Sequence, residues 1–418
     1  MIDKDKMTLF VTGMFLLLIM TTGLSYAYFS ASVKGNENAK DMVVEAGTLS
    51  LVYTDGPEIK AQNIKPGWST TKEVSVKNNG TLGAYYNVIW QSLTNTISNN
   101  ELVLSATCQR LNASGTVEGT CDSISQAAIS DMTIAKRVSI EAGITHKYTF
   151  TILFKETNAD QNTNQGKEFN GVLGIEEYIP TQFEKDNWST IVSNVKSGNI
   201  SDYNVGDVKD VDLGTYGTHT LRLANTSTPS ECSTTGFSQT ACGFVLEFAD
   251  IITTHNMNPK GEYKGTQYDY GWNKDGWPAS SMYTFVNNDI YNALPAELKN
   301  AIIDTTVVSS HGSEDTANFT STDKLYLLAP KEIYTNWSDS HDTAKDLTRA
   351  LDYYTAQGVT TNSNRGAIKA NGTSASYWWL RSAYSYYNNN FFTVGSNGRY
   401  SGNIALYANG VAPAFRLG

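Results

Sequence analysis

The run Tyr148-Thr149-Phe150-Thr151-Ile152-Leu153-Phe154 sets the terms for the first part of this chain. Large apolar side chains recur at every second residue, and only an extended strand places such residues on one face. The same alternation appears in Thr48-Leu49-Ser50-Leu51-Val52-Tyr53 and in Lys72-Glu73-Val74-Ser75-Val76-Lys77, which runs into the turn Asn78-Asn79-Gly80. Tyr85-Tyr86-Asn87-Val88-Ile89-Trp90 repeats it. From about Ala39 to Glu177, short alternating runs punctuated by Gly and Asn predict a β-sandwich with no long helix.

A chain of 418 residues exceeds one ordinary core, so two or three domains are expected. Charged residues are few and Gly, Asn, Ser, Thr and Tyr abundant, a profile of extracellular β-rich proteins. A net charge of −10 with no Lys/Arg cluster argues against nucleic acid as a partner. At the N-terminus, Lys4 and Lys6 precede an apolar run from Met7 to Leu24, and Ser25-Tyr26-Ala27 supplies small residues for cleavage after Ala27. Residues 1–27 therefore read as a signal peptide, the alternative being an uncleaved membrane anchor; both predict export. Cys108 with Cys121, and Cys232 with Cys242, are close enough in sequence to close local loops as disulfides in an oxidising space. Four unpaired thiols are the alternative.

The N-terminal motifs resemble the TasA/camelysin family of secreted Gram-positive matrix-fibre proteins. The residues that carry the likeness are Tyr26-Ala27-Tyr28-Phe29-Ser30, then Lys65-Pro66-Gly67-Trp68 followed by Val74 to Leu82, and Gln161-Asn162 to Phe169 before a last strand at Val172–Ile175. The resemblance spans about residues 7–178. It implies a jelly-roll-like sandwich over 28–178, processing by a SipW-type signal peptidase, and self-assembly in which Tyr28–Val33 adds to a neighbour's sheet edge.

After a short linker at 179–182 the texture changes. Phe183, Trp188, Ile191, Val192 and Val195 have helical spacing that Gly198 stops. Strands are expected at Val208–Leu213, Thr218–Leu223, Phe244–Phe248 and Lys324–Leu328. Helices are expected over Asn287–Ile303, bent at Pro295, and over Lys345–Tyr354. This order, with Asn204-Val205-Gly206-Asp207, Gly276-Trp277-Pro278-Ala279-Ser280-Ser281-Met282, Leu294-Pro295, Asp323 to Leu328, Trp379-Leu380-Arg381-Ser382 and Gly410 to Arg416, resembles a Gram-positive domain family of unknown function over about residues 183–418. The resemblance implies a C-type-lectin-like fold related to formylglycine-generating enzymes. Some such domains are variable targets of diversity-generating retroelements, which rewrite adenines, mostly in Asn codons. The expected fold class is thus mainly β with an α+β C-terminal domain.

The end of the chain carries the functional expectation. Trp378, Trp379, Phe415, Arg381 and Arg416 read as scaffold, the two arginines half-buried against carboxylates. Between these anchors, Ser382 to Gly410 holds five Tyr, six Asn and two Phe but a single charge. Tyr gives rigid amphipathic area, and Asn gives a donor and an acceptor. Residues 384–407 have the texture that retroelement diversification leaves, and ordinary drift of a polar loop leaves the same. Tyr384, Tyr386, Tyr387, Asn388, Asn389, Asn390, Phe392, Arg399, Tyr400, Asn403 and Tyr407 are the expected ligand surface; the alternative packs several of these Tyr inward. No HExxH, GxSxG or phosphate loop occurs, and His146, His219, His255, His311 and His341 are scattered, so neither catalysis, a metal nor a cofactor is expected. His311 with Glu314 and Asp315, and Asp339 with His341 and Asp342, read as solvated loops. The combined expectation is a Gram-positive surface or matrix adhesin that binds a protein or glycan on another cell or phage. A fibre subunit without a specific ligand is the alternative.

Overall fold

A computed structural model describes residues 50–56, 64–130, 132–372 and 374–418. The chain is mainly β and divides after Tyr178 into two compact units. Ala27 and the Tyr28–Val33 strand lie outside the described residues. Among the described residues no helix is long and apolar enough to cross a membrane.

The first unit is two antiparallel sheets around one core. The larger runs Leu51–Thr54, Ser69–Asn78, Thr145–Phe154, Leu102–Leu111, Val117–Thr120, with Ile124–Ala128 also paired to Leu102–Leu111. The smaller places Ala84–Asn95 between Thr133–Ile140 and Phe169–Tyr178. Alternation decides which residues go inward. Along Thr145–Phe154, His146, Tyr148, Phe150, Ile152 and Phe154 are buried and the residues between them are not. They meet Tyr86, Val88 and Trp90 of the smaller sheet. The Asn78-Asn79-Gly80 turn is pinned by Asn78 itself, fully buried, whose Oδ1 accepts from Gly80 N at 2.8 Å and whose amide donates to Leu82 and Ile140. The Cys108–Cys121 and Cys232–Cys242 disulfides both form.

The second unit opens with helices Gln182–Lys185 and Trp188–Ser197, capped by the side chains of Thr181 and Asn187. Gly198 ends the second in the left-handed region at φ 75°, where an L side chain is strained. A four-stranded sheet runs Val208–Asp212, Thr218–Asn225, Val245–Phe248, Ala414–Arg416. A five-stranded sheet runs Thr253–His255, Asn409–Val411, Trp378–Ala383, Asn390–Val394, Tyr400–Ile404.

Three expected elements differ. Lys324–Leu328 is not a strand: the chain bends at Lys324 and Leu325, and the buried residues Leu325–Leu328 join the sheet by one bridge, Tyr326 to Ala414. The helix expected from Asn287 starts earlier, at Ser281, capped by the Ser280 hydroxyl, and passes through a π-turn at Val286–Ile290. It breaks at Leu294-Pro295 as expected, and ends at Lys299. Lys345–Tyr354 is a 3-10 turn at Lys345–Leu347 and a separate helix at Asp352–Ala356. Between them Arg349 leaves helical geometry to reach Asn225 Oδ1 and Ala241 O.

Candidate binding surface

Every residue of the Trp378–Ala383 strand is buried. Trp378, Trp379 and Phe415 have no exposed surface. Arg381 is as buried as they are. Its guanidinium donates to Val308 O (3.0 Å), Leu327 O (2.9 Å), both Glu332 carboxylate oxygens (2.7 and 2.5 Å) and Thr240 Oγ1 (3.2 Å). Glu332 also accepts from the hydroxyls of Thr240 and Thr348 and from Ala329 N. A guanidinium has five N–H groups in a planar fork, and this pocket meets that fork with oxygen on every side. Burial works against the charge, and Glu332 outweighs it, so the Arg381 pKa is raised. The expected carboxylate partner is therefore present, and the burial is complete rather than half.

A second ionic cluster fixes the four-stranded sheet. Glu247 is fully buried between Arg222 (2.7 Å) and Lys369 (2.9 Å) and accepts from the Tyr354 hydroxyl (2.9 Å). Burial would raise its pKa, but the two cations overcome this and hold it at about 2. Lys369 moves the other way, to about 8, because burial outweighs Glu247. Arg416 departs from expectation. Its guanidinium lies against Gly243, its Nε has no hydrogen-bond partner, and among the described residues no carboxylate pairs with it.

Downstream of Ala383 the mode of attachment changes. The loop 384–390 is held by its own main-chain carbonyls. Asn273 Nδ2 donates to Tyr387 O (2.8 Å) and Asn390 O (2.9 Å), and Asn273 N donates to Asn388 O (2.8 Å). Ser313 N reaches Tyr387 O, and Ala405 N reaches Asn389 O. Tyr384 N closes the loop on Asn390 O, while Ser385 N donates to His341 O. Asn273 is fully buried, and Gly312 makes room for it: a Cβ at Gly312 would sit 2.0 Å from Asn273 Oδ1.

With the backbone tied down, side chains point outward. Tyr386 is 68% and Tyr407 52% exposed, and Tyr387, Asn388, Arg399 and Tyr400 are exposed too. Tyr384, Asn389, Asn390 and Asn403 are half-buried. Phe392 is wholly buried and leaves the surface set, because it faces inward on the Asn390–Val394 strand and packs edge-on to Trp337. The rings form one connected series. Trp337 touches Tyr400 and Phe392; Phe392 touches Tyr384; Tyr384 stacks on His341 at 4.6 Å and meets Tyr387; Tyr387 meets Tyr386. Tyr386, Tyr387 and Tyr400 thus connect to a base of buried and half-buried rings. Trp337 is itself anchored by a hydrogen bond from its indole N–H to Asp342 (2.9 Å). Burial pushes the Asp342 carboxyl up to about 6, with the Trp337 bond partly opposing.

Several residues of this surface were not legible as such. Tyr270 is 61% exposed, and its carbonyl accepts from Leu406 N, which brings it beside Tyr407. The Tyr268-Asp269-Tyr270-Gly271-Trp272 texture matches that of the C-terminal segment and was the available signal. Asn273, Trp337 and His341 carry no such mark. His341 is engaged with Asp339 Oδ1, and His311 with the carbonyl of Gly312. Among the described residues, the one group of three metal-type ligands is Cys108, Cys121 and His146, in the first unit.

Residues 249–418 match a family model described as a domain of unknown function (DUF6273). Residues 3–91 match a family model described as camelysin metallo-endopeptidase. No curated protein matches the chain. The chain is thus similar to camelysin at its N-terminal end and to that uncharacterised domain over most of its second unit, and the N-terminal likeness points to a surface or matrix protein. The description of the camelysin family implies a metal, and the matched segment does not fit one. It contains no His and no Cys, so it lacks the imidazole and thiolate donors of ordinary zinc sites.

Proposed function

We propose that this protein is an exported surface or matrix adhesin whose second unit binds a protein or glycan target through the exposed tyrosines and asparagines of residues 384–407, joined by Tyr270. The observation that carries the reading is the main-chain grip on loop 384–390. Carbonyl oxygens are the same in every residue type, so a clamp that holds them leaves the side chains free to vary. A surface of rigid aromatic rings and amides, resting on a fixed base, has the chemistry of a paratope. Binding then follows from shape and hydrogen-bond complementarity, and specificity changes with side-chain identity while the frame stays. The same reading includes diversification of this segment by a retroelement and a lectin-like fold for the second unit. The first unit anchors or polymerises.

The test has two parts. DNA flanking the gene is searched for a near-copy of codons 378–416 that differs at its own adenines within codons 384–407, beside a reverse transcriptase. In parallel, a library randomised at Tyr386, Tyr387, Asn388 and Tyr407 is scored for melting temperature and for saturable binding to cells, phage and glycans. Members that fold alike but bind different targets support the reading. A library that mostly unfolds overturns it, and fibre formation with no saturable binding in any member supports the matrix-subunit alternative.

A further inference from the structure

The core of the first unit holds a chemistry that adhesion leaves unused. Cys108 and His146 lie on adjacent paired strands, with Cys108 opposite Tyr148 and Arg110 opposite His146. The sulfurs of Cys108 and Cys121 and a ring nitrogen of His146 all fall within 4.8 Å of one another. Cys108 and His146 are buried, and Cys121 is partly so. His146 Nδ1 is engaged by the Tyr86 hydroxyl at 2.8 Å, and Tyr86 is bonded in turn to the Tyr148 hydroxyl at 2.9 Å. That leaves Nε2 as the nitrogen with donor capacity to spare.

We propose that Cys108, Cys121 and His146 form a redox-gated zinc site, closed as the disulfide and open as two thiolates. A dithiol reductant supplies two electrons and two protons. The S–S bond breaks to two thiols, and the dithiol leaves as its cyclic disulfide. Zn²⁺ then displaces both thiol protons and binds two sulfurs and His146 Nε2. Zn–S bonds of about 2.3 Å and Zn–N bonds of about 2.0 Å in a tetrahedral array need donors less than about 4 Å apart, which small side-chain adjustments within this group provide. A water completes the four ligands. The tyrosines serve both states. Metal on Nε2 makes Nδ1 an N–H donor, and a hydroxyl that donated to His146 turns to accept from it while donating to Tyr148, the outer-shell arrangement that metal-bound imidazoles favour. The Cys232–Cys242 pair has no such histidine beside it among the described residues.

The experiment uses the full chain, reduced with dithiothreitol, freed of it by anaerobic gel filtration and titrated with Co²⁺ and then Zn²⁺. The reduced chain is expected to take up one equivalent of Co²⁺ with a thiolate-to-cobalt charge-transfer band that Zn²⁺ erases. Zn²⁺ is expected to raise the melting temperature of the reduced chain, and the oxidised chain is expected to show neither effect. Paired Cys108→Ser and Cys121→Ser substitutions should abolish the band, and His146→Gln should weaken binding at least about tenfold. A reduced wild-type chain with no charge-transfer band or no zinc-dependent rise in melting temperature overturns the proposal without reliance on any variant. So does a band that survives the paired serine substitutions, or an affinity unchanged by His146→Gln.

Discussion

Residues 378–383 and 384–390 are consecutive, yet opposite principles hold them. In the first, buried side chains add to the backbone pairing of the sheet: Trp378, Trp379 and Arg381 fill pockets shaped for them. In the second, the attachments are carbonyl oxygens gripped by Asn273, Ser313 and Ala405. A segment held by side chains fixes its own sequence, whereas one held by its backbone fixes only its course. The boundary between the two is a boundary in mutational sensitivity, and substitutions on either side of it measure the difference.

The largest effect is expected on the side-chain-held side. Glu332→Gln leaves the buried Arg381 guanidinium without its counter-charge and should cost about 3–5 kcal/mol, read as a large fall in the denaturant midpoint of the second unit. Phe392→Ala should cost about 3–5 kcal/mol as a buried aromatic truncation, although Tyr386 and Tyr387 of the same segment are exposed. Equal stability of Phe392→Ala and Tyr386→Ala would erase the distinction between base and surface.

Intermediate effects sharpen the contrast. Asn273→Ala removes the donor shared by Tyr387 O and Asn390 O, and should cost about 1–3 kcal/mol while releasing the loop. Target binding should then fall with all eleven segment residues unchanged. Acid titration reads two buried carboxyl groups separately. Asp342, raised to about 6, is favoured neutral in the folded state, so its contribution is complete below its unfolded value near 3.8 and is lost as pH rises through 6. Glu247, lowered to about 2, contributes above its unfolded value near 4.5 and loses that contribution as pH falls towards 2. The pKa of His219, raised by its hydrogen bond to Asp250, acts in the same direction as Asp342. Stability of the second unit should therefore peak near about pH 4 and fall as pH rises towards 6, and Asp342→Asn should flatten that upper limb. Urea midpoints across pH 3 to 8 check this.

The smallest effect on stability is expected at the surface itself. Tyr386→Ser and Tyr407→Asn should stay within about 0.5 kcal/mol of wild type while changing target affinity. Melting curves beside binding isotherms give both numbers, and a stability loss as large as that of Phe392→Ala would place these rings in the frame.

Alternation made the first unit legible, because a buried face every second residue is the physical meaning of the pattern. Tyr148, Phe150 and Ile152 obey it. In the second unit the pattern misled at Leu325–Leu328, where four buried apolar residues in an extended run look the same whether a sheet or surrounding loops cover them. The partners of the site were the least legible. Glu332 stands in Pro330–Ile333 like any first-turn helix acid, and only the fold brings Arg381 to it. Asn273 is one amide among many in the sequence, and its role comes from the carbonyls of residues more than a hundred positions away. Phe392 is not legible as core because the Asn390–Val394 strand is covered on both faces from Phe391 onward, inside a segment whose composition is uniform. The paired cysteines were readable because their loops are local.

The parallel pairing of Trp378 with Gly410, with Gly410 N bonded to Tyr377 O at 2.8 Å, brings the start and finish of the C-terminal segment to neighbouring points of one sheet. A Cβ at Gly410 would sit 2.5 Å from Ile251, so the junction is closed tightly enough to admit no side chain. For gene exchange, this makes the stretch a cartridge: both seams fall at one place in space. A recombination event, or a designer, that replaces the exposed residues between them and keeps the buried Trp379, Arg381, Phe391 and Phe392 has no distant junction to match.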